Sequence, residues 1–255
     1  KPGTYSTYHL SNLLEWKEIN KMMPYTSLNI SSLSLKDTKE TIGQSSYELM
    51  VWDSLCDAVR KRVVGTTDRP VACCLSGGLD SSLIAALVSQ YYNGKLETYS
   101  IGMEGSEDLR MARLVADHIK SNHTEILLTE EQFWDAIPEV IESIESYDTT
   151  TVRASVGNYL LGKYISEHSE AKVIFNGDGS DEVAGGYLYL LKAPDSLEFN
   201  AECRRLLKDI HAFDVLRSDK SISSHGLEPR TPFLDKSFVS TYLNMPVSLR
   251  NPRHN

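Results

Sequence analysis

The sequence predicts an α/β fold, a largely parallel sheet with helices on both faces, continued by a helical carboxyl-terminal part. Three observations carry this. Between Val71 and Phe175, short apolar runs of strand length alternate with stretches whose apolar residues recur every three or four positions. Two glycine- and aspartate-rich loops each follow one of the short runs directly. Past Gly186 the pattern reads mostly helical, with Glu198 to Leu216 as its longest stretch. Such βαβα alternation implies a sheet covered on both sides, with ligands at the carboxyl ends of the strands.

The elements follow in order. The first forty or so residues are polar and dotted with Ser and Thr, and residues 1–44 read as a linker or the tail of a preceding domain. Lys1 to Tyr8 has the look of a last strand of such a domain. A helix starts at Ser45-Ser46, with Leu49, Trp52, Leu55, Val59 and Val63 on one face, and Gly65 and Pro70 punctuate its end. From here residues 45–255 read as one domain. Val71 to Leu75 is a strand, Ser81 to Tyr92 a helix, Leu96 to Ile101 a strand and Glu107 to Ile119 a helix. Thr124 to Leu128 is a strand, Glu130 to Ile144 and Val152 to His168 are helices, and Lys172 to Phe175 is a further short strand.

Composition narrows the function. With 255 residues, 41% of them hydrophobic and 24% charged, the chain suits a packed globular protein. Its net charge of −9 argues against nucleic acid as a partner, because phosphate backbones need a basic face. A small anion remains open to it, since a nest of backbone amides can hold one locally. Cys56, Cys73, Cys74 and Cys203 form no CxxC, so free thiols in a reducing compartment are expected, and a cytoplasmic location with them. No apolar run is long enough to span a membrane, and the opening carries no signal-peptide pattern. The seven histidines are scattered without paired spacing, and Glu139, Glu142 and Glu145 read as a solvated helix face.

The strongest motif is Leu75-Ser76-Gly77-Gly78-Leu79-Asp80-Ser81-Ser82, between a strand and a helix. Its glycines let the backbone turn tightly against a ligand. The hydroxyls of Ser76, Ser81 and Ser82 and the free amides of the helix start all suit phosphate oxygens. Asp80 is out of place beside an anion unless a Mg²⁺ ion bridges carboxylate and phosphates. The loop has no Lys and no GxGxxG, so it is neither a Walker A loop nor a dinucleotide fingerprint. A plain Ser/Gly turn would not need strand, glycine pair, Asp and hydroxyl-rich helix start in one place.

The second motif is Phe175-Asn176-Gly177-Asp178-Gly179-Ser180-Asp181-Glu182, continued by Val183-Ala184-Gly185-Gly186-Tyr187. Three carboxylates within five residues are costly unless a metal ion or a cationic group relieves them. The ligand order of an EF-hand is missing. Alone, this motif reads equally well as a solvated acidic turn; beside the first it does not.

The Ser76–Ser82 loop resembles the pyrophosphate-binding loop of the N-type ATP pyrophosphatases, a group that includes asparagine, GMP, NAD and argininosuccinate synthetases. Together with Gly177 to Asp195, Tyr147 to Ser155 and Glu228 to Asp235, it resembles the synthetase domain of glutamine-hydrolysing asparagine synthetases, from about Leu49 to about Pro246. The resemblance implies an adenine nucleotide alpha hydrolase-like fold and, as cofactors, ATP and Mg²⁺. It implies adenylation of the aspartate side-chain carboxylate, release of pyrophosphate and transfer of ammonia to give asparagine. Leu75 and the Ser76-Gly77-Gly78 turn are then expected at adenine and phosphates, with Ser81 and Ser82 beside them. Ile101 and Gly102 are expected at adenine and ribose, Asn176 and Gly177 at AMP, and Asp80 and Asp181 at the metal. Lys220 and Arg230 are the expected basic residues near pyrophosphate and the aspartate carboxylate. Asp178 stands where the family usually has Glu, a residue associated with aspartate activation and ammonia attack. The opening Pro2-Gly3-Thr4-Tyr5 resembles the tail of a glutaminase domain, so a glutaminase domain or subunit is an expected partner, and a homodimer is compatible. The glutaminase domain itself and a carboxyl-terminal stretch with a second catalytic Lys are not in the sequence. A β-lactam synthetase-like ligase and a non-catalytic nucleotide-binding module stand as alternatives.

Overall fold

The computed structural model describes residues 3–24 and 44–251. The chain divides into two units, Lys1–Leu33 and Ser34–Asn255. In the first, β1 (Thr4–Leu10) runs antiparallel to β2 (Trp16–Pro24). Ser11 closes the turn, its Oγ accepting from the amides of Leu13 and Glu15 at 3.3 and 3.2 Å. The strand expected within Lys1 to Tyr8 corresponds to β1, and β2 is an additional one. Tyr5, Tyr8 and Leu10 in β1 and Trp16 and Ile19 in β2 are interspersed with polar residues, a composition that suits a pleated, solvated ribbon as well as a linker. Residues 25–43, the rest of the expected linker, lie outside the described residues.

The second unit begins with α1 (Gln44–Val64), β3 (Val71–Cys74), α2 (Leu79–Tyr91), β4 (Glu97–Gly102), α3 (Glu107–Ile119) and β5 (Asn122–Leu127). It continues through α4 (Glu130–Asp135), α5 (Ile137–Ile144), α6 (Thr149–His168), β6 (Val173–Phe175), α7 (Ser180–Ala184), α8 (Ser196–Asp209) and α9 (Asp214–Ser223). The strand β7 (Glu228–Arg230) and helices α10 (Lys236–Leu243) and α11 (Val247–Arg250) complete it. The sheet has the order β5-β4-β3-β6-β7, and every pair is parallel.

Side chains alternate across the strands and so select the covering helices. Ala72, Tyr99, Ile126 and Ile174 face one way, into a core completed by Leu161 and Ile165 of α6 and Ile222 of α9. On the other side α2 and α3 pack against β3, β4 and β5, with Ile84, Leu87 and Val88 of α2 buried. The α/β class with helices on both faces is therefore the observed one.

Three boundaries differ from the sequence reading. The helix expected over Glu130 to Ile144 is broken at Ala136, because Pro138 occupies the first turn of a new helix, a place where its missing amide costs nothing. The long helix expected over Glu198 to Leu216 is two, divided by a 3-10 turn at Ile210–Ala212. Glu228-Pro229-Arg230, read only as a motif, is the edge strand, where a proline is tolerated.

The strand order fixes where a ligand fits. From β3 the chain moves outward through β4 and β5, then returns to the other side of β3 for β6 and β7. The connections leaving β3 and β6 therefore diverge and open a crevice at the carboxyl ends of two neighbouring strands. Both motifs lie there.

Candidate active site

The first loop leaves β3 with Leu75 still in the sheet, its amide donating to the Tyr99 carbonyl at 2.8 Å. Gly77 then adopts φ +81°, and a Cβ there would sit 2.4 Å from the Ala112 amide nitrogen, so the turn lies directly on α3. Ser76 and Ser81 clasp the loop, their hydroxyls 2.9 Å apart, while the Ser76 amide donates to Ser81 Oγ at 3.2 Å. Helix α2 starts without a side-chain cap at Gly78, which leaves its first amides for a ligand. Ser82 Oγ is buried nearby with no hydrogen-bond partner among the described residues.

The second loop leaves β6 through Asn176, which is buried and fully engaged. Its amide donates to the Arg230 carbonyl at 3.1 Å, and its Nδ2 donates to Ser218 Oγ at 2.6 Å and to Asp178 Oδ2 at 3.1 Å. Gly177 is the point where the loops meet. A Cβ on it would stand 2.9 Å from Ser81 N and 3.0 Å from Asp80 Cβ, so only glycine lets the backbones come this close. Asp181 and Glu182 follow on the first turn of α7.

Between the loops is a pocket of about 240 Å³. Ser76, Gly78, Asp80 and Ser81 of the first loop and Asn176 to Glu182 of the second line it, with Cys74, Asn158, Tyr187, Asp214 and Arg217. Among the described residues lining it there are five carboxylates, those of Asp80, Asp178, Asp181, Glu182 and Asp214, against the single cation Arg217.

The carboxylates register that crowding. Burial raises Asp181 above the ordinary carboxylate range, and the charges of Asp80 and Asp214 raise it further. Burial raises Asp178 as well; Arg217 and Ser218 oppose the rise and Asp214 adds to it. Glu182 is pushed up to about 8, first by burial and then by its bond with Asp214, while the Tyr187 hydroxyl, which donates to it, pulls the other way. The Tyr187 hydroxyl also lies 3.5 Å from Asp214 Oδ2. Cys74 is a protonated thiol at the pocket wall, pushed up to about 12 by burial and by Asp178.

Asp80 and Asp181 come from opposite loops, and the Asp80 charge disfavours the ionised Asp181, a donor set that a Mg²⁺ ion shared with phosphate oxygens would satisfy. Among the described residues no trio of His, Cys, Asp and Glu is arranged to hold a metal ion without such help.

The remaining residues singled out in the sequence fall elsewhere. Ile101 and Gly102 stand at the end of β4, beside the first loop's strand but not on the pocket wall; Ile101 packs on the core and Gly102 against Leu109. Lys220 does not line the pocket, since its ammonium is paired with Glu145, a residue read as merely solvated. Arg230 does not line the pocket either. Its guanidinium donates to the Arg62 carbonyl and Thr66 Oγ1, both at 2.8 Å, and pairs with Glu228, so it fastens the edge strand to the end of α1. Residues that were missed are Tyr187, Asp214, Arg217 and Ser218. The last three have the i, i+3, i+4 spacing of one helix face, but nothing in that spacing ties them to a loop some forty positions earlier.

Fold and site together define a parallel α/β protein with a carboxylate-rich loop pocket at its switch point. The chain belongs to the asparagine synthase family, whose model matches residues 50–201 and 192–255. It is 51% identical over 203 residues to the glutamine-hydrolysing asparagine synthetases of Pongo abelii and of Homo sapiens, covering 78% of this chain in each case. The matched part spans 36% of the length of those relatives. Among solved structures, an NH3-dependent NAD synthetase from Campylobacter jejuni is 18% identical over 70% of this chain and 91% of that one, with a TM-score of 0.38. So low a score adds nothing to the fold seen directly in the sheet.

Proposed function

We propose that the chain is the ATP-using, amide-forming part of an asparagine synthetase. In the first step an oxygen of the aspartate side-chain carboxylate attacks the α-phosphorus of ATP. The bond from the α-phosphorus to the bridging oxygen breaks, and pyrophosphate leaves. In the second step ammonia attacks the acyl carbon, the carbon–oxygen bond to AMP breaks, and the nitrogen gives up a proton. The observation that carries this reading is the contact of Gly177 with Asp80 and Ser81, which joins both carboxylate loops into one pocket.

The residues divide the work. The uncapped amides of α2 with Ser76, Ser81 and Ser82 suit the phosphates, where oriented donors stabilise the departing pyrophosphate. Asp80 and Asp181 would hold Mg²⁺, which supplies charge neutralisation to the phosphates when bound. Asp178, which Asn176 pins, would orient the incoming amine and take its proton. Asn176 and Gly177 on the pocket wall, with Leu75, Ile101 and Gly102 at the neighbouring strand ends, would take the nucleoside part. Residues 45–255 act as the synthetase domain, and residues 1–44 join it to a glutaminase domain that supplies ammonia.

The test is pyrophosphate release by the native full-length protein with ATP and Mg²⁺, with and without L-aspartate and ammonium. Release that requires aspartate, with asparagine appearing only when ammonium is present, is the expected result. ATP binding without aspartate-dependent release would overturn the reading in favour of a non-catalytic module. Sustained ATP turnover that yields an amide product without ammonium would favour an intramolecular amine, as in β-lactam formation.

A further inference from the structure

Asp178 is held from two sides. Its Oδ2 accepts from Asn176 Nδ2 at 3.1 Å, and its Oδ1 lies 3.7 Å from a guanidinium nitrogen of Arg217. Arg217 is in turn ion-paired with Asp214, one turn earlier on α9, and Asp214 is only 7% exposed. The chain of contacts therefore runs from a buried anchor through a partly buried guanidinium to the pocket carboxylate.

Arg217 does not offer an anion site. It already faces two carboxylates, so the trio of Asp178, Arg217 and Asp214 carries a net charge of −1 when ionised, and a further anion would be repelled. An Asp side chain is also one methylene shorter than Glu and reaches less far into the pocket, which makes its direction depend more on what grips it. We propose that Arg217 is a positioning residue that aims the Asp178 carboxylate, and that Asp214 positions Arg217. The function of this aim, delivery of the amine, rests on the amide-ligase reading above; the aim itself does not.

The other groups facing Asp178 are accounted for. Ser218 and Asp214 approach it from α9, Cys74 from β3 and Asn176 from its own loop. Ser218 Oγ accepts from Asn176 Nδ2 at 2.6 Å and its hydroxyl also hydrogen-bonds Asp178, but it carries no charge, and Cys74 is a neutral thiol. Arg217 is thus the one described group that can both neutralise and steer this carboxylate.

The test uses Arg217→Gln, Arg217→Lys and Asp214→Asn in the native full-length protein. Aspartate carrying ¹³C at the carboxyl is incorporated, and the Asp178 signal is assigned by its loss in Asp178→Asn. In folded Arg217→Gln the Asp178 signal moves and its titration midpoint rises; Arg217→Lys restores part of both changes, because it keeps the charge but not the fork. In turnover, kcat for amide formation falls about tenfold or more, while KM for aspartate changes less than about threefold. An unmoved Asp178 signal in folded Arg217→Gln overturns the proposal. So does a large rise in KM for aspartate with kcat retained, which would make Arg217 a direct substrate ligand. If Arg217→Gln does not fold, the same readings are taken on Asp214→Asn, which frees the guanidinium without removing it. If the unaltered protein makes no asparagine, the functional reading fails, and the carboxyl signal still decides the positioning role.

Discussion

Glu182 is a carboxyl group whose surroundings leave it little choice of charge. It is buried at 3% exposure, it shares a hydrogen bond with Asp214, and Tyr187 donates to it. With a folded value of about 8, against about 4.3 for an unfolded chain, it holds a proton in the native state that the unfolded state has lost. The stability linked to that proton is fully present below pH ~4.3, and it is lost as pH rises toward and through about 8. Glu182→Gln keeps the neutral form and the shape. In metal-free protein, urea unfolding of Glu182→Gln should show a flatter pH dependence between about 4 and about 8 than the unaltered chain, and greater relative stability at pH 9. An identical pH dependence for both would show that Glu182 ionises normally. At this scale the sequence is uneven. Asp80, Asp181 and Gly177 stood out because contiguous motifs carry them. Asp214 and Arg217 did not, because what brings them to the second loop is tertiary contact alone.

Among the elements, the junction of α1, β7 and α10 shows how a motif can be legible while its task is not. Glu228 to Asp235 was recognisable as a block, and Arg230 was expected at the substrate. The structure uses the block as a brace. Arg230 bonds the Arg62 carbonyl near the end of α1, and Asp235, 4% exposed, accepts from Arg62 at 2.8 Å and from Lys61 at 2.5 Å. Asp235 also caps α10 by accepting from the Ser237 amide at 2.9 Å. Burial by itself would raise Asp235, but the bonds from Lys61, Arg62 and the Ser237 amide outweigh it and hold the group below its ordinary value. A lowered folded value means stability that is present above the unfolded pKa of ~3.9 and lost as pH falls through the folded one. Asp235→Ala should therefore cost about 3 kcal/mol at pH 7, from a cap lost and two cations left unpaired. The difference from the unaltered chain should narrow in unfolding experiments carried below pH ~3. A cost under about 0.5 kcal/mol at pH 7 would mean that this brace is redundant. The division of the expected 130–144 and 198–216 helices has a similar lesson. Phe133 of α4 and Ile137, Val140 and Ile144 of α5 pack on one core, so apolar periodicity runs on across the first break, whereas Phe199 and Cys203 of α8 and Ile222 of α9 lie in different cores; Pro138 was the one local sign of either break.

For the molecule as a whole, the sheet order decides what the sequence could only suggest. Alternating strands and helices made a parallel sheet legible, and the loops made a strand-end site legible. That β3 and β6 are neighbours, and so that Asp80 and Asp181 share one pocket, depends on pairing between segments about a hundred residues apart. A chain of net charge −9, with Asp80, Asp178, Asp181 and Asp214 around one pocket guanidinium, repels free ATP, whose charge is largest without a metal. Mg²⁺ held between the two loops would lower the charge of both partners at once. The whole second unit should then respond to the pair of ligands and much less to either one. A ligand at about 100 times its Kd adds about 2.7 kcal/mol to unfolding. For a unit of this size that is a rise in Tm of about 5–10 °C. Thermal unfolding with ATP and Mg²⁺ should show such a rise, ATP with EDTA should show under about 2 °C, and Asp80→Asn should abolish the metal-dependent part. An equal rise with ATP in EDTA would mean that the carboxylates of the two loops take no part in holding the nucleotide, and that the amides and hydroxyls of the first loop bind it alone.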